Sequence, residues 1–151
     1  MSNHAWSTRE FSQLPLDELY EIIRLRQDVF IVEQQCCYQD LDNEDQRAIH
    51  MLVRGTDGAL VGYQRIFLPG VLREEAILGR IIVAAAARGT GLGRTLVRRG
   101  IDFVREHQSN ASIRIAAQAH LQQFYAGSGF VLISEAHPVD GIPHVDMILR
   151  P

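Results

Sequence analysis

Lysine is absent from this chain: all fifteen basic side chains are arginine. That absence excludes three enzyme classes. A Walker-type phosphate loop needs a lysine on the nucleotide phosphates, a protein kinase needs one on a strand, and a pyridoxal enzyme needs one for its Schiff base. Cysteine is nearly as scarce, with Cys36 and Cys37 alone and adjacent. Neighbouring residues rarely reach disulfide geometry. With no second cysteine pair, a structural zinc site is not expected, and no metal is assigned.

Long apolar runs are missing too. The longest, Ile81 to Ala87, has seven residues, against the roughly 20 that span a bilayer. The opening MSNHAWSTRE holds no apolar signal-peptide core. No membrane partner is expected, and the expected location is cytoplasmic. An excess of positive charge is also lacking, at net −3 with a pI near 6.0. Nucleic acid is therefore not an expected partner.

What remains is an ordinary globular composition, 46% hydrophobic and 22% charged, over 151 residues. That length predicts one domain, residues 1–151, able to bury a real core. Residues 6–11 read as a short first strand. Leu16, Leu19, Ile23, Arg26 and Phe30 recur at helical spacing, which predicts a helix from Leu16 to about Val32. Residues 36–47 are polar and acidic and read as a loop. Three β-branched runs follow at 48–54, 59–68 and 76–83, separated by GTDG and PG turns. A glycine-rich loop comes next. Leu92, Leu96, Val97, Ile101 and Val104 then predict an amphipathic helix ending near His107. Residues 112–119 form a strand and 121–127 a short helix; 130–134 and 144–150 form last strands joined by the turn-rich AHPVDGIP. The fold class is α+β, a mixed arrangement of helices on a mostly antiparallel sheet.

The loop ARGTGLGRTL, residues 87–96, carries the chemistry. A dinucleotide fingerprint needs G-x-G-x-x-G, but here Gly89, Gly91 and Gly93 are followed by Arg94. What stands is Arg88-x-x-Gly91-x-Gly93, after an apolar strand and before a helix. Glycines let the backbone approach a ligand and adopt positive φ. The first free N–H groups of the helix, from about Gly91 to Thr95, then point at an anion with the helix dipole behind them. A pyrophosphate suits such a cradle.

In the frame IIVAAAARGTGLGRTLV, this loop resembles the acetyl-coenzyme A loop of the GNAT N-acetyltransferase superfamily. FYAGSGF, residues 124–130, is similar to the Tyr-x-x-x-Gly-Phe signature near the end of that fold. LYEIIRLRQDVFIVEQQCCYQDLD, His50, Gly79-Arg80, AQAHLQQFY and DGIPHVDM together resemble the ElaA-type branch. The resemblance implies the GNAT acyltransferase fold, a mostly antiparallel central sheet flanked by helices. It also implies acetyl-CoA as cosubstrate, with no metal.

The resemblance implies roles for single residues. Arg88, Gly89, Thr90, Gly91, Leu92, Gly93, Arg94 and Thr95 would hold the pyrophosphate, mostly through backbone N–H groups. Ile81, Ile82 and Val83 would lie on the strand whose splayed end pairs with the pantetheine amides. Gln118 stands where many relatives carry Asn, with like donor and acceptor capacity. Arg94, Arg98 and Arg99 either add charge near the phosphates or form a solvated helix face. Tyr125 is the candidate acid, a phenol able to protonate the leaving thiolate. A base must deprotonate the attacking ammonium, and Glu33, His50 and His120 are candidates alongside a water relay. The acidic stretch Asp40, Asp42, Glu44 and Asp45 either draws a cationic amine or is a solvated surface loop. His144 either lines the acceptor site or caps a strand.

Two functions are in view. One is an N-acetyltransferase acting on a primary amine of a small molecule or peptide by direct attack in a ternary complex. The alternative is a non-catalytic acyl-coenzyme A sensor. A homodimer through an exposed sheet edge is an expected assembly.

Overall fold

The computed structural model describes residues 3–151. Among them, β1 (Ala5–Glu10), β2 (Ile49–Arg54), β3 (Leu60–Phe67) and β4 (Ala76–Val83) form an antiparallel run. After α2 (Leu92–His107) the chain returns as β5 (Ile113–Gln118), parallel to β4. β8 (Ile142–Leu149) pairs antiparallel with β5. Two short strands, β6 (Val131–Leu132) and β7 (His137–Val139), share the far side of β8. The helical crossover is what permits the single parallel pair in this sheet.

Helices cover both faces. Leu96, Val97, Ile101 and Val104 of α2 pack against Met51, Ile66, Leu78 and Ile115. On the other face, Ile22 of α1 (Leu16–Arg26) packs with Leu52, Tyr63 and Ile82. Burial on both sides explains why β2 and β3 read as nearly continuous apolar runs.

The first helix departs from the sequence expectation. α-Helical pairing stops at Arg26, and Gln27–Glu33 winds as a wider π-helix. Gln34 N–H donates to Val29 O at 3.3 Å and Cys36 N–H to Ile31 O at 3.2 Å, each five residues back. Val29, Ile31 and Val32 are β-branched and crowd an α-turn. Leu16, expected on the apolar face, is 83% exposed; Ile22 and Arg26 hold the buried stripe.

The stretch expected as a turn-rich connection contains β7, with Asp140 and Gly141 as a two-residue hairpin loop. Both have positive φ, 51° and 79°, which is the type I′ geometry that matches strand twist. Pro138 and Pro143 face each other one step from the loop. That position takes no ladder hydrogen bond, so neither proline costs one. The expected strand at 130–134 is bridged only at Val131 and Leu132.

Candidate active site

The site begins where two strands part. β4 and β5 pair only at Ala76 with Ile113 and Ile77 with Arg114. Beyond those residues β4 follows β3 to Val83, while β5 follows β8 to Gln118. The wedge between them opens into a cleft of about 1040 Å³.

A bulge in β4 shapes that wedge. Tyr63 pairs with Ile82 but Arg65 with Gly79, so β4 carries one extra residue opposite Gln64. The phase of the strand flips: Leu78 packs toward α2, whereas Ile82, also even-numbered, packs toward α1. Arg80, at the bulge, has φ 50°. Bulges of this kind re-aim side chains beside functional sites.

The glycine loop closes one end of the cleft. Gly89 and Gly91 have φ of 76° and 85°, a region L side chains rarely enter. A Cβ at either would meet nothing within 4 Å. The glycines therefore serve the chain's conformation and leave room in front of the backbone. Gly91 starts α2 with no side-chain cap, and the first helical bond is Thr95 N–H to Gly91 O. The N–H groups of Leu92, Gly93 and Arg94 are thus orphan donors at the positive end of a sixteen-residue helix. These features fit a pyrophosphate.

Arg88, Gly89, Gly91, Leu92, Gly93 and Arg94 all line the cleft, as do Ile81, Ile82 and Val83. Thr90 and Thr95 do not; their hydroxyls donate to Ala87 O and Gly91 O. Arg88 donates from Nε to Val83 O at 3.0 Å and pairs with Glu33 at 3.0 Å. Arg99 is engaged elsewhere, its guanidinium 4.2 Å above the Trp6 ring.

Gln118, His120 and Tyr125 line the opposite wall. Tyr125 sits on α3 (Gln122–Ala126), and a Schellman cap explains its signature. Phe130 N–H donates back to Tyr125 O at 3.3 Å and Gly129 N–H to Ala126 O at 3.0 Å. Gly129 supplies the left-handed residue, φ 96°. Phe130 then packs edge-on against the Tyr125 ring, centroids 6.2 Å apart. Burial pushes the phenol up to about 12, so it holds its proton at neutral pH.

For Asp40 and Asp45 neither sequence reading of the acidic loop survives. Asp40 and Asp45 are buried and Asp42 is tied in with them, in a cluster with Arg26, Arg65 and Arg80. Arg26, 1% exposed, donates to Asp40 at 2.8 Å and to Asp45 at 2.7 Å. Arg65 reaches Asp42 at 2.8 Å and Asp45 at 2.9 Å. Arg80 reaches Asp40 at 2.8 Å and anchors the bulge. These carboxylates have arginine partners and are not presented to an incoming amine. Glu44 pairs with Arg47 at the surface.

His50 lies in the same cluster and does not line the cleft. Its Nε2 donates to Asp45 O at 2.9 Å and its Nδ1 accepts from Tyr63 OH at 2.7 Å. Both nitrogens are engaged, and burial holds the imidazole below its ordinary value. It has no access to an acceptor. Glu33 and His120 do line the cleft.

The far wall was largely missed from sequence. It is built by Phe30, Gln34, Cys36 and Tyr38 on one side and by the hairpin residues Asp140, Ile142 and His144 on the other. Cys36 Sγ donates to Asp140 O at 3.4 Å, and Gln118 to Gln34 at 3.2 Å, across the gap. The Asp-Gly dipeptide was the available signal for the hairpin; flanking prolines concealed its strands.

A family model described as an acetyltransferase (GNAT) domain matches residues 19–151. The chain belongs to the GNAT family, in its ElaA-type branch. Protein ElaA of Escherichia coli is 36% identical over 143 residues, 94% of each chain. Its crystal structure superposes on this one with a TM-score of 0.90, covering 97% of this chain and 99% of that one. An acyl-CoA N-acyltransferase from Pseudomonas aeruginosa is 36% identical, with a TM-score of 0.91 over 97% and 99% of the two chains. A UPF0039 protein of Synechocystis is 37% identical over 145 residues, 96% of this chain and 94% of that one. GNAT membership makes the chain an acyltransferase that binds acyl-CoA. Among the described residues, no helix is long and apolar enough to cross a membrane. Nor do three or more His, Cys, Asp or Glu gather as a metal site among those residues.

Proposed function

We propose that this GNAT protein transfers an acetyl group from acetyl-CoA to a primary amine of a small molecule or peptide, by direct attack in a ternary complex. One observation carries the reading: a buried, protonated phenol and an empty-fronted glycine cradle lie on one cleft between diverging strands. The pyrophosphate takes the orphan N–H groups at the start of α2, and the pantetheine arm lies along Ile81–Val83. A backbone N–H of that strand meets the oxyanion as the amine attacks. The C–N bond forms, the C–S bond breaks, and Tyr125 gives its proton to the departing sulfur. Holding both substrates together supplies much of the rate.

The test is thiol release from acetyl-CoA across a panel of amines. Tyr125→Phe is expected to lower kcat by about 10²-fold or more, with acetyl-CoA affinity kept, as loss of a general acid does. Full turnover by that variant would remove Tyr125 from the chemistry. Acyl-CoA binding with no thiol release from any amine would make the protein a sensor instead.

A further inference from the structure

Acyl transfer to an amine needs a base, and none of the three sequence candidates is well placed for it. His50 is buried with both nitrogens engaged. Glu33 is 44% exposed and already faces Arg88 at 3.0 Å. His120 is exposed on a short turn (Ala119–Leu121), and no hydrogen bond among the described residues selects its tautomer.

His144 differs on each point. β8 leaves the Asp140–Gly141 turn and carries His144 into the cleft wall, in register with Gln118 of β5 and His137 of β7. The ring is half-buried, and its Nδ1 lies 2.7 Å from Ile142 O. A carbonyl only accepts, so Nδ1 carries the hydrogen and the neutral ring keeps its lone pair on Nε2. The strand holds the ring, and the backbone selects the tautomer a base needs.

We propose that His144 Nε2 takes the proton from the acceptor ammonium, an inference that rests on the acyl-transfer reading above. The free amine then attacks the thioester carbon. The nitrogen sheds a second proton as the C–N bond forms, and that proton replaces the one Tyr125 gives to sulfur. Amide, free thiol and one proton on His144 result, and the last passes to water. Charged and titratable groups near this ring come from several elements. His137 stands opposite on β7, its Nε2 3.5 Å from Asp146 Oδ1. Asp146 follows two residues along β8, paired with Arg114 at 3.4 Å, which reaches Glu75 at 3.8 Å. Asp140 at the turn, Cys36 against it, and Glu33, Tyr38, His120 and Tyr125 line the same cleft.

The experiment is the pH profile of kcat/KM for the amine in wild type, His144→Asn and His120→Asn. The asparagine amide can still donate to Ile142 O but cannot act as a base. At neutral pH His144→Asn is expected to lose about 10²-fold in kcat/KM for the amine. Its rate should then climb with the amine's own deprotonation, near a pKa of about 10.4 for an alkyl amine. Acetyl-CoA affinity by calorimetry should match wild type, and the limb lost in His144→Asn should persist in His120→Asn whatever that variant's absolute rate. His144→Gln takes the place of the asparagine variant if that one does not fold. A wild-type profile in the His144 variant, or loss of the same limb in His120→Asn, overturns the assignment. Absence of thiol release in wild type would instead overturn the acyl-transfer reading, so the two failures are distinguishable.

Discussion

Asp40→Asn tests the buried arginine–aspartate cluster most directly. Asp40 is 6% exposed and its carboxylate accepts from Arg26 Nε at 2.8 Å, Arg80 Nε at 2.8 Å and Tyr38 OH at 2.6 Å. Arg26, Arg65 and Arg80 balance Asp40, Asp42 and Asp45, so removing one carboxylate leaves a net positive charge. The new amide also turns donors toward donors. Arg26 keeps only Asp45 as an ionic partner. Removing one partner of a buried pair costs about 3–5 kcal/mol, a large part of a net stability of about 5–15 kcal/mol. For a chain of this size about 1 kcal/mol moves Tm by about 2–4 °C, so the melt should fall by about 6–20 °C. Arg80 loses its bond to the Asp40 carboxylate at the same time, keeping Asp40 O at 2.9 Å and Asp42 at 3.4 Å, while backbone φ stays at an unfavourable 50°. The β4 bulge should loosen and KM for acyl-CoA should rise. Urea unfolding with ΔG extrapolated to water measures the first effect, and steady-state kinetics the second. Glu44→Gln is the control, since it breaks only the exposed pair with Arg47; it should stay within about 0.5 kcal/mol. A loss of under about 1 kcal/mol for Asp40→Asn would refute the reasoning, because it would mean that the cluster is solvated like a surface pair.

Acid should destabilise the fold in two stages. Burial holds the His50 imidazole below its ordinary 6.5, so below that pH the unfolded chain binds a proton the native state refuses. Desolvation works to raise Asp42, but its hydrogen bonds and charge pairing with Arg65 outweigh it and hold the carboxyl at about 2, against an ordinary 3.8. Asp45 is lowered in the same sense, burial being outweighed by Arg26 and Arg65. Stability from these carboxylates is present above 3.8 and is lost as pH falls toward 2. Urea midpoints that stay flat from neutral pH down to about pH 3 would contradict both stages. Gly100→Ala should lose about 1–3 kcal/mol by overpacking, since its Cβ would lie 2.6 Å from Gln64 Oε1 in the core. Gln64 is fully buried and held by Leu96 O at 2.6 Å, so it has little room to yield. An unchanged melting temperature for Gly100→Ala would show that it does.

How much of this was legible depends on sequence distance. The glycine loop, the α2 face and the Tyr125–Gly129–Phe130 cap are set within a few residues, by helix spacing, positive φ and capping bonds. The loop and the helix face could be read directly, and the cap's residues stood out through their resemblance to the family signature. Helical spacing even put Arg26 in the buried stripe, though it misplaced Leu16. What Arg26 meets there could not be read, because Asp40 and Asp45 lie 14 and 19 residues on. The bulge in β4 is a one-residue change of phase in an apolar run, and Ile81-Ile82-Val83 reads the same with or without it.

The sequence by itself therefore determined the glycine-loop and Tyr125 walls of the cleft. Glycines, a helix start and a capped tyrosine are local devices, and local rules govern them. Only the tertiary structure decided the rest: the acidic loop neutralised by three arginines, His50 removed from the cleft, and His144 delivered to it by a hairpin. Those outcomes depend on which side chains meet across strands, and on whether a charge finds a partner before it is buried.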